Sequence, residues 1–303
     1  MDLLGIFIVL LSIAWLISMI SKTRPITNLP PGPKPLPLIG NLLALGDKPH
    51  QSLANLAKSY GPIMTLKLGQ ITTVVISSSA MAKQVLQTHD QFLSSRTVPD
   101  SMTTHNHDLF GLPWMPVSPL WRNLRRICNT QLFAARILDA NENLRRGQVA
   151  ELVTEISRCA LKGNETVDFG KVAFVTSVNL LWNTIFSEDF VDPNSKIGRE
   201  FKVAVRGAME EAAKPNFGDY FALLKRFDVQ GIKKKQSVHF DRIFDVLEQM
   251  IDERIDEQKK SCGSNKIKHD LLHYLLNPGD ENSEIKLGRI EFEHLLACRT
   301  DFY

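Results

Sequence analysis

The chain has little cysteine, and none of it is paired for chemistry. Cys128, Cys159, Cys262 and Cys298 are the only four in 303 residues. They contain no CxxC pair, which argues against a zinc ribbon or a disulfide framework and for reduced thiols facing the cytosol. Charge of one sign is also lacking, since 36 Lys and Arg stand against 33 Asp and Glu for a net charge of +3. The one dense basic run, Lys233-Lys234-Lys235, has no neighbouring aromatics on which bases would stack. Nucleic acid is therefore excluded as a partner, and the run reads as a solvated loop or helix end. Internal repeats and low-complexity tracts are absent. With 44% hydrophobic residues, the chain is able to bury a sizeable core as one large domain or two small ones.

What is present begins with an apolar run, Leu3 to Ile20, broken only by small residues such as Ser12 and Ser18. At about 1.5 Å per residue it nearly crosses a hydrocarbon core of roughly 30 Å, so a single transmembrane helix within an anchor spanning residues 1–21 is expected. Asp2 precedes the run and Lys22 and Arg24 follow it; this bias puts the body on the cytosolic side. A cleaved signal peptide would need a basic residue before the run and a small-x-small site after it, and SKTRPITNLPPGP supplies neither. Residues 22–41 carry prolines at 25, 30, 31, 33, 35 and 37. Proline fixes φ and disfavours helix in the residue before it, so this stretch is expected to be a stiff, extended hinge. A polyproline ligand for another protein is the competing reading, weakened because LPLIGN runs straight into the folded pattern.

Beyond the hinge, Ser52 to Tyr60 has helical spacing and Gly61-Pro62 ends it. Ile63 to Leu68 and Thr72 to Ile76 flank Gly69-Gln70 as a hairpin, and a helix returns from Ala80 to Thr88. Asp90 to Pro119 shows no sustained period and is expected to be a loop of unusual length, the kind that carries function. After Pro119 the chain is predominantly helical, over Trp121–Phe133, Leu144–Leu161, Val172–Phe186, Phe201–Ala213, Val238–Gln258 and Asp270–Leu276. A turn follows at Asn277-Pro278-Gly279-Asp280, and Ile290–Leu296 begins another helix. The fold class is mainly α with a small β-sheet near the N-terminal end.

Two histidine pairs have metal-like spacing, His105-x-His107 and His269 with His273 at i, i+4. Neither has a third ligand nearby or a glutamate placed as in HExxH, so both read as packing or surface residues and no metal site is expected. WRNLRR, Trp121 to Arg126, has a more specific geometry. On a helix Trp121 and Arg125 share one face, while Arg122 and Arg126 form a second pair turned about 100° away. The first pair suits a buried anion and the second an exposed surface. An ordinary core Trp beside solvated arginines is the alternative.

These segments together resemble a microsomal cytochrome P-450 monooxygenase of the plant terpenoid-hydroxylase group that includes geraniol hydroxylases. The resemblance covers Met1 to about Leu296. It rests on the apolar N-terminus, PPGPKPLPLIGN (Pro30 to Asn41), YGPIMTLKLG, FLSSR (Phe92 to Arg96), LPWMPVSPLWRNLRRIC (Leu112 to Cys128) and NFGDYFALLKRFDVQGIKKK (Asn216 to Lys235), in that order. It implies the N-terminal portion of the cytochrome P-450 fold behind a single-pass anchor in the endoplasmic reticulum membrane. It further implies a haem cofactor whose propionates are bound by Trp121 through its indole N–H and by Arg125 and Arg96 through charge-assisted bonds. Arg122 and Arg126 resemble the basic surface on which an NADPH-dependent reductase docks. Leu109, Phe110, Leu112, Phe217 and Phe221 fall near the family's substrate-facing regions and would suit a hydrophobic, terpenoid-sized small molecule, or they are core. At Ala222 many relatives place proline.

The same resemblance implies segments that the sequence does not contain before Tyr303: A/G-G-x-D/E-T, ExxR and the cysteine loop FxxGxRxCxG that supplies the axial thiolate. Residues 42–296 are thus expected to be a truncated catalytic domain and 297–303, ACRTDFY, a divergent tail. Neither Cys128 nor Cys298 is carried over as the axial ligand, no catalytic residue is assigned, and the chain alone is expected to be inactive. A non-catalytic, membrane-anchored protein that binds a reductase or a full-length relative is the second expectation.

Overall fold

Residues 3–20, 28–161, 166–187, 196–260, 270–277 and 287–300 are described in this computed structural model. Their order is α1 (Leu3–Ile20), α2 (Pro49–Tyr60), β1 (Ile63–Leu68), β2 (Ile71–Ile76), α3 (Ser79–Lys83), α4 (Asp90–Leu93), α5 (His107–Phe110), α6 (Pro119–Gln131), α7 (Ala135–Ala140) and α8 (Glu142–Leu161). There follow α9 (Phe169–Phe186), α10 (Lys196–Ala213), α11 (Phe217–Tyr220), α12 (Ala222–Lys225), α13 (Ile232–Lys260), α14 (Leu271–Leu276) and α15 (Arg289–Thr300). Two compact units result, Met1–Ser94 with Pro215–Gln230, and Ser95–Lys214 with Gly231–Tyr303.

In the first unit the strand-like runs on either side of Gly69-Gln70 form the antiparallel pair β1–β2, in register from Ile63 opposite Ile76 to Leu68 opposite Ile71. Met64 and Leu66 alternate with more exposed neighbours and are buried, as period two dictates for a strand with one covered face. The proline-rich stretch from Asn28 onward lies along β1. Thr65 N–H donates to the Pro31 carbonyl (2.9 Å), and the Asn41 side chain accepts from Lys67 N–H (2.9 Å) while donating to the Pro33 and Lys34 carbonyls. Gly40 adopts φ +63°, and a Cβ there would sit 2.0 Å from the Lys67 carbonyl oxygen, so glycine is required twice over. The hairpin tip is tied to α11 and α12, Gln70 N–H donating to the Tyr220 carbonyl (3.0 Å) and Gln70 Oε1 accepting from Ala222 N–H (3.2 Å).

The expected transmembrane helix is not met. α1 has 18 residues, about 27 Å at 1.5 Å per residue and short of a hydrocarbon core of roughly 30 Å. Among the described residues no helix is long and apolar enough to cross a membrane. Lys22 and Arg24, which set the expected orientation, lie outside the described residues.

The second unit is a helical assembly. Phe201, Ala204, Val205 and Ala208 of α10 recur at helical spacing and are buried with Phe240, Ile243, Phe244, Leu247 and Ile251 of α13. Leu124 and Ile127 of α6, Trp182, Ile185 and Phe186 of α9, and Phe292, Leu295 and Leu296 of α15 complete this core. Each large side chain buried here contributes roughly 1.5–3 kcal/mol. Arg254 of α13 is enclosed with Asp270 at 2.9 Å, both nearly inaccessible, and also donates to the Phe186 carbonyl, fastening α13 to the ends of α9 and α14.

The expected structureless loop over Asp90–Pro119 is corrected. It holds α4, a 3-10 turn over Asp100–Asn106 and α5. These short pieces owe little to local periodicity. Buried Asp100 faces Lys233 Nζ of α13 at 3.4 Å, and the Thr103 and Thr104 hydroxyls donate to the Asp100 and Ser101 carbonyls. Burial against α13 therefore holds a segment whose own sequence has no helical stripe. His105 and Asn106 are left-handed (φ 54° and 58°), which breaks the run before α5. Lys233-Lys234-Lys235 forms the first turn of α13, in line with a helix end. Pro278, Gly279 and Asp280 of the expected turn lie outside the described residues.

Candidate functional site

α6 begins at Pro119, two residues before the expected start at Trp121. Ser118 is extended and its Oγ accepts the Trp121 backbone N–H (3.1 Å), while Pro119 occupies the first turn, where no N–H is needed. Leu124, Ile127 and Cys128 turn into the core, which fixes the rotation of the helix and leaves Arg122, Arg125 and Arg126 toward the outside. Trp121 is half-buried, and its indole N–H donates to the Leu112 carbonyl at 3.2 Å. Arg122, Arg125 and Arg126 are all exposed. The division suggested by spacing, one pair inward and one outward, is therefore not a division by burial among the arginines.

Arg126 donates to Asn123 Oδ1 (2.8 Å). Among the described residues the Arg122, Arg125 and Arg96 guanidiniums have no carboxylate partner. Guanidiniums without an internal counter-ion are suited to bidentate capture of an external carboxylate or phosphate, so Arg96 and Arg125 fit a group that carries carboxylates. The indole N–H fits the same chemistry, with the difference that Leu112 already accepts it.

The residues expected near substrate are dispersed in environment. Leu109 is exposed, Phe110 is half-buried with its ring 5.6 Å from that of His294, and Leu112 packs against the helical core. Phe217 and Phe221 belong to the other unit. Phe217 is exposed on α11, and the Phe221 ring lies against Gly69. Leu112 and Phe221 thus each pack against neighbours within their own unit.

A buried polar cluster that sequence reasoning missed lies beside Phe110. His107 Nδ1 and His294 Nδ1 are 2.9 Å apart, and Cys298 Sγ is 3.7 Å from His107 Nε2. Phe240 and Phe244 close it off, with centroids 4.9 Å from His107 and 4.8 Å from His294 respectively. Burial first, then the charges of His294 and His105, push His107 down to about 3. Burial first, then His105, push His294 down to about 4, against a backbone hydrogen bond to His105 that acts in the opposite sense. Both rings are neutral at ordinary pH. The only sequence signal for His294 was its place among Phe292, Leu295 and Leu296 on an apolar helix face.

His105, the other member of its pair, meets Asp241 at 2.7 Å. His273 N–H is capped by Asp270 (2.7 Å), and its i−4 neighbour His269 lies outside the described residues. Among the described residues no group of three or more His, Cys, Asp or Glu could hold a metal ion. Cys128 and Cys298 are buried thiols on α6 and α15, neither of them in a disulfide.

Comparison with known proteins places this geometry in a lineage. Geraniol 8-hydroxylase of Swertia mussotii is 48% identical over 262 residues, covering 86% of this chain and 52% of the relative. Geraniol 8-hydroxylase of Catharanthus roseus is 46% identical over 296 residues, 97% of this chain and 59% of the relative. Lauric acid 10-hydroxylase of Petunia hybrida is 46% identical over 277 residues, 91% of this chain and 47% of the relative. The chain thus spans about half the length of these curated relatives. The profile of the cytochrome P-450 family matches residues 30–303. With nearly the whole folded body matched, the helical assembly, its two-stranded sheet and the WRNLRR helix are those of a haem-protein family, and the chain belongs to the cytochrome P-450 family.

Proposed function

We propose that this chain carries the propionate-binding and membrane-facing part of a haem-thiolate monooxygenase that hydroxylates a hydrophobic, terpenoid-like small molecule, using dioxygen and electrons from an NADPH-dependent reductase. The observation that carries the reading is α6, a capped helix with Trp121 and, four residues on, an Arg125 that has no carboxylate partner among the described residues. Trp121, Arg125 and Arg96 hold the haem carboxylates, a role for which planar guanidiniums are well matched. When bound, haem supplies the activation of dioxygen. The substrate class is supported by identity to the two geraniol 8-hydroxylases, and Leu109, Phe110, Leu112, Phe217 and Phe221 are the apolar residues assigned to it. Haemin titration of the full chain tests the cofactor reading. A saturable Soret change that stays near one haem per chain supports it, and a purely non-saturable response sinks it.

Membrane association belongs to the same proposal. Phe7, Ile8, Val9, Leu10, Leu11, Ile13 and Trp15 of α1 are exposed, an apolar surface suited to lipid, which supports seating at the cytosolic face of the endoplasmic reticulum membrane. Flotation with phosphatidylcholine vesicles should be lost on removal of Leu3–Ile20; flotation unchanged by the deletion counts against this role.

A second reading is favoured by the exposure of Arg122 and Arg126: a non-catalytic protein that docks a reductase or a full-length relative on this basic face. It requires reductase binding without haem, abolished by Arg122→Glu with Arg126→Glu.

A further inference from the structure

The segment between α5 and α6 is pinned by a few polar contacts. Gly111 N–H donates to the His107 carbonyl (2.8 Å), and a Cβ at this position would lie 2.4 Å from that oxygen, so the turn needs glycine. The Trp114 and Met115 N–H groups both donate to the Gly111 carbonyl at 3.0 Å. Met115 is buried in the core, and Ser118 closes the segment as the cap of α6. Between these points Leu112 is held by its carbonyl, which accepts the Trp121 indole N–H at 3.2 Å.

An indole has one N–H and accepts nothing. That single hydrogen serves either the Leu112 carbonyl or an external carboxylate at full strength. We infer that Trp121 is a two-position donor: capture of a haem carboxylate by its indole releases the Leu112 carbonyl, so that cofactor binding and the conformation of Gly111–Val117 are coupled. The inference rests on the haem reading above. It adds that α6 senses the cofactor and relays it to the segment that contains Leu112 and follows Leu109 and Phe110, three of the residues assigned to substrate. The change stays within the segment, because the Met115 side chain remains seated in the core and His107 remains bonded to His294, while the Gly111 carbonyl that accepts the Trp114 and Met115 amides shifts with its neighbour Leu112. Coupling of this kind is reciprocal, so anything that tightens the Leu112 bond weakens carboxylate capture to the same degree.

Hydrogen exchange read at the Trp114 and Met115 amides, in the full chain with and without haemin, tests this. Haemin should speed their exchange about fivefold, the scale set by one net hydrogen bond. Trp121→Phe keeps the ring and removes the donor; it should show the fast exchange without haemin and no further change on adding it. Haemin that binds with its Soret change while both amides exchange at the original rate overturns the coupling and leaves the haem reading standing. A fast-exchanging Trp121→Phe chain beside a wild type that haemin does not affect also overturns it, since Trp121 is then only a packing residue. No Soret change in the wild type overturns both.

Discussion

His107 and His294 meet nitrogen to nitrogen at 2.9 Å inside the helical unit, one on the short helix before WRNLRR and the other on α15. One nitrogen must carry the hydrogen and the other a lone pair, so the contact does not survive protonation of both rings. The geometry ties a segment with no helical stripe of its own to the most apolar face of α15.

That pair makes stability pH-dependent with a definite sign. Folding pushes the two imidazoles down to about 3 and about 4, whereas in the unfolded chain they titrate near 6.5. The unfolded state then binds more protons below 6.5, so the stabilisation is complete above that pH and is lost as pH falls toward the native values. Each imidazole should contribute a slope of about 1.4 kcal/mol per pH unit between roughly pH 6 and 5. Urea unfolding at pH 7.5, 6 and 5 reads this directly. His294→Phe should remove about half of the slope, and a free energy constant from pH 7.5 to 5 would contradict the buried neutral pair.

Arg254→Ala should destabilise the helical unit by roughly 3–5 kcal/mol, because it leaves the Asp270 carboxylate buried without its partner. Asp270 also caps α14 through His273 N–H. Asp270→Asn in the Arg254→Ala background should therefore recover part of the loss, since an amide keeps the cap without the stranded charge. Additive losses in the two single variants and the double would show that they are not a coupled pair.

Gly40→Ala should cost at least about 1–3 kcal/mol through its left-handed backbone alone, with the Lys67 carbonyl 2.0 Å from the new methyl adding to it. The loss should localise to the contact between the proline-rich stretch and β1. Hydrogen exchange at Thr65 and Lys67, whose amides donate to Pro31 and Asn41, is the measurement; unchanged protection at both would refute the assignment.

Arg125→Ala and Arg96→Ala should each weaken haemin binding about tenfold, the loss of one charge-assisted hydrogen bond. Arg122→Ala should leave it within about twofold on the same scale. Equal effects at all three positions would mean that general positive charge, and not a defined carboxylate site, draws haemin to the chain.

Most helices were legible because their apolar residues recur at three and four, as Phe201, Ala204, Val205 and Ala208 do in α10. The hairpin was legible through two strand-like runs around Gly69-Gln70, the second of them β-branched. α6 was expected from Trp121 and begins two residues earlier, at Pro119, because Ser118 caps it and proline needs no N–H in the first turn. The 3-10 turn at Asp100–Asn106 and α5 were not legible, since what holds them is Asp100 against Lys233 and His107 against His294, contacts across more than a hundred residues. The bond between Trp121 and Leu112 was hidden for a related reason: spacing places Trp121 on a helix face but does not say which carbonyl its single donor will find.

Local pattern by itself determined that the protein is mainly helical with one small hairpin and that α6 presents a Trp and three arginines, because periodicity and turn chemistry act over a few residues; the haem-protein family entered through the resemblance of its motifs and their order, not through pattern. Tertiary structure alone decided which polar groups are enclosed and which partners they take: Arg254 with Asp270, His107 with His294 and Cys298, and the indole of Trp121 with Leu112. A buried donor or acceptor must be satisfied by whatever packing brings within about 3 Å, and that neighbour is set by how distant helices meet.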